Sequence, residues 1–138
     1  MRILGIDYGE RRIGLALSDP LGIIASALPT FDRRGGKDEI TFFRGLIAER
    51  EIERIVVGLP KNMDGSEGPQ ALAVRAFGEK LKTLDIEIVF KDERLSSVSA
   101  NRVLDEAEMH WSKRKDVVDA VAAVIILQSY LDRMAMEK

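Results

Sequence analysis

The stretch from Met1 to Asp19, MRILGIDYGERRIGLALSD, constrains the fold of this chain more than any other. Ile3, Leu4 and Ile6 form an apolar run of strand length that ends in Asp7. Gly9 and a charged tip, Glu10-Arg11-Arg12, follow, and a second apolar run from Ile13 to Leu17 closes on Ser18-Asp19. Two apolar runs joined by a short, charged, Gly-containing loop predict a β-hairpin. A carboxylate at the mouth of a buried strand is costly unless something pairs with it. A cation or a phosphate-bearing partner beside Asp7 would supply the pair, and Gly9 would let backbone approach such a ligand. Asp7 as a simple turn residue is the competing reading, since Asp is common in turns.

The rest of the chain extends the hairpin into a mixed sheet. Asp19-Pro20-Leu21-Gly22 predicts a turn, and Gly22 to Pro29 a third antiparallel strand. Phe31 to Lys37 reads as a connector. Ile40, Phe43, Leu46 and Ile47 fall at helical spacing, which predicts a helix from Asp38 to Glu51. Ile55 to Leu59 is a continuous apolar run bounded by Pro60, as in a strand covered on both faces. Pro60 to Pro69 is turn-rich, and Pro69 opens a helix carrying Ala73, Val74, Phe77 and Leu81 on one face. Ile86 to Phe90 is a short strand. Ser96 or Ser97 can cap a helix to about Glu108, His110 to Lys115 reads as a basic connector, and Val117 to Met134 as a final helix. The expected order is β-β-β-α-β-α-β-α-α, an α/β fold with three antiparallel strands, then strands parallel to the first, and helices on the sheet's faces. The length, 138 residues, fits one domain, residues 1–138.

Composition narrows the chemistry. The chain has no cysteine, which rules out disulfides, thiol nucleophiles and Cys-ligated zinc, and suits a cytoplasmic location. Nothing after Met1 resembles a leader, and no apolar run reaches membrane-spanning length. His110, the one histidine, sits beside Trp111 in a polar segment and reads as a surface or packing residue. Acid-base or metal chemistry therefore falls to carboxylates. Net charge is −2, yet cations cluster at Arg11-Arg12, Arg33-Arg34 and Lys113-Arg114-Lys115. Arg33-Arg34, beside Gly35-Gly36, reads as a pair of solvated turn residues.

Three acids can meet under this topology. Asp7 ends the first strand, Glu93 follows the Ile86 to Phe90 strand, and parallel strands present their carboxyl ends on one edge, where open sheets bind ligands. Asp119, early in the last helix, is in phase with Ala122, Ala123 and Ile126, which mark the packed face; Asp116, one turn earlier, competes with it. Converging carboxylates repel unless cations intervene, and oxygen-only ligands favour Mg2+ or Mn2+. Two such ions about 3.5–4 Å apart can promote phosphodiester cleavage. Lys113, Arg114 and Lys115 would then hold a nucleic-acid backbone. Taken singly, each acid also fits a cap, a turn or a surface ion pair, as Glu93 does beside Arg94.

Four segments carry a resemblance: GIDYGERRIGLALSD (Gly5 to Asp19), VVGLPKNMDGSEGPQ (Val56 to Gln70), KDERLSS (Lys91 to Ser97) and KRKDVVDAVAAVIILQSYL (Lys113 to Leu131). Together they resemble the YqgF/RuvX family of pre-16S rRNA nucleases, also described as Holliday-junction-resolvase-like. The resemblance implies a ribonuclease-H-like fold, metal-dependent endonuclease chemistry, and acidic site residues at Asp7, Glu93 and Asp119. The family's Thr-rich stretch is represented here by Ser96-Ser97, which keeps the hydroxyls. Lys61 and Asn62, on the loop between Gly58 and Gln70, can contact phosphate or base, or serve turn geometry alone. Arg11, Arg12 and Arg94 complete the expected nucleic-acid contacts. The partner is precursor rRNA or branched DNA, as a monomer or a homodimer. A non-catalytic assembly factor and an ATP-binding module are the readings from other functional classes.

Overall fold

In the computed structural model the described residues are 2–93 and 111–137, with side chains described outside 111–119. The hairpin forms as its apolar pattern requires. Strand β1, Arg2–Tyr8, pairs antiparallel with β2, Arg12–Ser18, with Asp7 opposite Gly14 and Tyr8 opposite Ile13. The third strand, β3 (Ala25–Asp32), pairs antiparallel with β2. Helix α1 is Glu39–Arg50, β4 is Ile52–Leu59, α2 is Pro69–Lys82, β5 is Glu87–Asp92 and the last helix, α3, is Trp111–Met136. The five strands lie in the order β3-β2-β1-β4-β5, with β4 parallel to both β1 and β5. The sheet is mixed as expected.

Local chemistry sets the ends of the elements. The Asp38 carboxylate accepts from the backbone N–H of Thr41 at 2.9 Å and caps α1, and Glu51 closes that helix in the left-handed region at φ 54°. Pro69 occupies the first turn of α2, where its missing N–H costs nothing.

Several expectations shift. The third strand starts at Ala25 and runs to Asp32, because the Asp19 carboxylate accepts from the N–H groups of Ile23 and Ile24 at 2.7 and 2.9 Å and folds those residues into the turn. Ile23 and Ile24 are apolar yet exposed there. Residues 111–115 belong to α3 and not to a connector. On α2 the inward positions are Ala71, Val74, Phe77, Gly78 and Leu81, while Ala73 faces water. The helix expected from Ser96 to Glu108 lies outside the described residues, as do Arg94 and His110.

Strand alternation divides the core between two faces. Leu4, Ile6, Ile55 and Val57 pack with Phe43 of α1 and with Val74, Phe77 and Leu81 of α2. Ile3, Ala16 and Val56 pack on the other face with Ala123, Ile126, Leu127 and Leu131 of α3. Gly5 lets α3 approach, since a Cβ there would stand 2.7 Å from the Leu127 Cβ and 3.2 Å from the Ala123 carbonyl oxygen. Arg54, at the start of β4, donates to the Tyr130 hydroxyl at 2.9 Å, so α3 runs antiparallel to β1 and β4. Its early turns therefore lie toward the carboxyl ends of those strands. No helix among the described residues is long and apolar enough to cross a membrane.

Candidate functional site

Asp7 and Glu93 reach the same place by the same parity rule. On β1, Asp7 is in phase with Ile3 and Gly5, so its side chain emerges on the α3 face. On β5, Val89 packs with the α3-side core, and Lys91 and Glu93 follow it in phase. The Glu93 N–H donates to the Leu59 carbonyl at 3.1 Å, which continues the β4–β5 pairing one residue past the strand. Both carboxylates thus stand at the carboxyl rim of the sheet and on one face, separated by β4.

The position on β4 between them is Gly58. A Cβ built on Gly58 would lie 2.6 Å from Glu93 Oε2 and 2.9 Å from Glu93 Cδ, so the carboxyl group rests across the bare backbone of β4. Burial, the charge of Asp7 and the charge of Asp92, in that order, push the Glu93 carboxyl up to about 8. Near neutral pH it holds a proton unless a positive charge arrives. Among the described residues no three His, Asp or Glu side chains gather into a metal-holding group; Asp7 and Glu93 stand as a pair. Asp119 and Asp116 are in the described helix α3, but their side chains lie outside the description. Asp119 precedes Ala123, whose carbonyl faces Gly5, by one helical turn, and that backbone leads toward the end of β1 that carries Asp7.

The segment after Asp7 is braced from three sides. The Tyr8 ring stacks on Phe77 with centroids 4.3 Å apart, and the Gln70 amide donates to the Tyr8 carbonyl at 3.0 Å. Arg33 donates to the carbonyls of Gly9 and Glu10, both at 3.0 Å, and to Glu39 Oε1 at 2.7 Å. Arg33 is therefore a structural brace and not the solvated turn residue its Gly-rich neighbourhood suggests. Gly9 serves the turn, because a Cβ there would lie 2.5 Å from the Arg12 carbonyl oxygen.

Two loops flank the acidic pair at this rim. The hairpin tip presents Arg11, which is exposed, and Arg12, which is half-buried. The β4–α2 loop presents Lys61 and Asn62. The Asn62 side-chain amide donates to Ser66 Oγ at 3.0 Å, and the Asn62 backbone carbonyl accepts from the Gly65 N–H at 2.8 Å. Asn62 holds the loop together, and Lys61 beside it is half-buried and close enough to Glu67 for its charge to help lower that carboxyl. Residues 113–115 are in the first turns of α3, with side chains outside the description. The sequence reading missed Gly58 and Lys91, which pairs with Gly58 across the β4–β5 ladder. The signal for Gly58 was a lone glycine inside an apolar buried strand, which marks close approach by another group.

Residues 1–133 match the model of the family described as "RuvX: Holliday junction resolvase". The chain belongs to this family. A protein of Halothermothrix orenii with the name "Putative pre-16S rRNA nuclease" is 51% identical over 133 residues, covering 96% of this chain and 95% of the relative. One of the same name from Syntrophomonas wolfei is 47% identical over 139 residues, covering 100% and 99%. Among solved structures, Thermus thermophilus RuvC in complex with a Holliday junction substrate superposes with a TM-score of 0.54 at 14% identity, covering 97% of this chain and 96% of RuvC. The Fowlpox virus resolvase with Holliday junction DNA gives 0.53 at 10% identity, covering 97% and 99%. These likenesses establish that this RuvX-family chain has the ribonuclease-H-like fold of the resolvases.

Proposed function

We propose that this RuvX-family chain is a divalent-metal-dependent endonuclease, a single domain over residues 1–138, that processes the 5′ end of pre-16S ribosomal RNA in the cytoplasm. The observation that carries the reading is the pairing of Asp7 with Glu93 on one face of one rim, with the Glu93 carboxyl held near 8 by burial and by Asp7. Such a pair is acceptor-only once ionised and suits a hard cation. Asp7, Glu93 and Asp119 would hold Mg2+ or Mn2+. When bound, the cation supplies Lewis-acid stabilisation of the phosphodiester and eases deprotonation of the attacking water.

The chain's own groups do the rest. Asp7 stays fixed because Tyr8 is stacked, hydrogen-bonded and braced. Glu93, whose carboxyl burial and Asp7 push up to about 8, would serve as a carboxylate donor to the cation once that proton is released. Arg11 and Lys61, on the two loops that leave this rim, and Arg12, at the start of β2, steady the phosphates of the bound strand. Arg94, next to Glu93 in sequence, and Lys113, Arg114 and Lys115, on the first turns of α3, would add further contacts to the same strand. Asn62 contributes by shaping the loop that carries Lys61.

A second reading keeps the chemistry and changes the substrate to a four-way DNA junction. The family description and the fold shared with two junction-bound resolvases favour it. One experiment tests both: cleavage of a precursor 16S rRNA with its 5′ leader, and of a synthetic junction, with Mn2+ or EDTA, by the wild type, D7N and D119N. Leader cleavage that needs Mn2+ and is lost in both variants supports the first reading. Symmetric junction cleavage by a dimer with the rRNA left intact selects the second. Full cleavage by D7N rejects the assignment of the site, and RNA binding without any cleavage points to an assembly factor.

A further inference from the structure

We propose that Gly58 is a positioning residue of the acidic site: its missing side chain is the seat on which the Glu93 carboxyl group rests. The inference deepens the nuclease reading, on which the role of Glu93 as a cation ligand depends. Gly58 lies on β4, the strand between the two that carry Asp7 and Glu93. Its face is the α3 face, in phase with Val56 and opposite Lys91. A methyl group there would stand 2.6 Å from Glu93 Oε2 and 2.9 Å from Glu93 Cδ, while ordinary contact begins at 3.4 Å. The carboxyl group would have to retreat by about 0.8 Å or swing aside, a displacement of the size that costs a catalytic constellation ~10²-fold. Every larger side chain fills the same volume. The strand offers little slack, since Val56 and Val57 before this position are buried and paired on both sides, and Leu59 after it is buried and paired with β5.

The same methyl would also meet Ile126 Cδ1 of α3 at 2.5 Å, so packing against the helix is a competing reason for glycine. The two reasons separate experimentally. I126V removes the Cδ1 atom and relieves that clash while leaving Glu93 alone. The experiment compares metal-free crystal structures and Mn2+ affinity, by electron paramagnetic resonance, for the wild type, G58A, I126V, the G58A/I126V double variant and E93Q.

The expected result is that the Glu93 carboxyl group moves by about 0.8 Å or changes rotamer in G58A and equally in the double variant, with Mn2+ bound at least ~10-fold more weakly in both. I126V alone should keep the wild-type carboxyl position and affinity. A Glu93 carboxyl group that stays in place in the double variant overturns the inference, whatever happens to the metal. The nuclease reading fails separately, if the wild type and E93Q bind Mn2+ alike. Should G58A fail to fold, the double variant carries both readouts.

Discussion

The guanidinium of Arg33 lies over the ring of Tyr8, with Cζ 4.5 Å from the centroid, and the same group donates to the two backbone carbonyls that follow Tyr8, those of Gly9 and Glu10. An arginine from the β3–α1 connection thus clamps the residues next to the candidate ligand Asp7. Removing the clamp leaves two carbonyls and Glu39 without their donor. R33A should lower stability by about 1–3 kcal/mol in urea denaturation. Lysine supplies charge but not the planar fork, so R33K should recover less than half of the loss. Cleavage should fall along with stability, because Asp7 is held through this tip. An R33A variant as stable as the wild type would remove Arg33 from the account.

Glu93 makes metal-free stability depend on pH. Its folded carboxyl is raised to about 8, and the unfolded chain has the ordinary value near 4.5. The unfolded chain therefore releases this proton first as pH rises. The stabilising contribution is complete below about pH 4.5, declines between the two values, and is exhausted above about 8. The slope is at most about 1.4 kcal/mol per pH unit for one proton. E93Q cannot titrate and should show a flatter profile than the wild type in chelator-treated denaturation between pH 5 and pH 8, about the range set by the two values. Parallel profiles would place Glu93 in water.

Cation binding should release protons. At pH 7 the wild-type Glu93 is mostly protonated, so Mn2+ entry displaces up to about one proton, read as a dependence of calorimetric enthalpy on buffer ionisation. D7N removes the neighbouring negative charge that helps raise Glu93. It should reduce that proton release and lower cleavage by at least ~10²-fold while the folded fraction stays unchanged.

Ser18 gives a control away from the rim. It is 2% exposed, its hydroxyl accepts from the Ile3 N–H at 2.8 Å and donates to the Asp19 carbonyl at 3.0 Å. S18A leaves a buried N–H without a partner and should cost about 1–3 kcal/mol. The cleavage rate of the folded fraction should match the wild type, since this contact sits at the amino end of β1. A specific loss of activity would mean that the two ends of β1 are coupled.

Much of this molecule is written in short-range pattern. Two apolar runs, Ile3 to Ile6 and Ile13 to Leu17, around a short charged loop specify the hairpin, Asp38 and Pro69 announce helix starts, and the apolar run at Ile55 to Leu59 specifies a strand covered on both faces. The approach of Asp7 to Glu93 was legible as well, because parallel crossovers bring strand carboxyl ends to one edge, while the shared face emerged only with the register of the folded sheet. Other features needed the folded chain. Ile23 and Ile24 look like strand but are held in a turn by Asp19. Arg33 looks like a loop cation but grips Tyr8, and inward-looking Ala73 yields to Ala71 and Gly78.

By itself the amino-acid order determined the described strands and helices, their succession, the mixed sheet and the edge at which Asp7 and Glu93 meet. Only tertiary structure decided that Glu93 rests across Gly58 and that Arg33 secures the end of β1. The physical reason is range. Periodicity and capping act within a turn or a strand, where neighbours are known. Contacts between remote residues depend on register and on the direction of each side chain, and a slip of one residue inverts both.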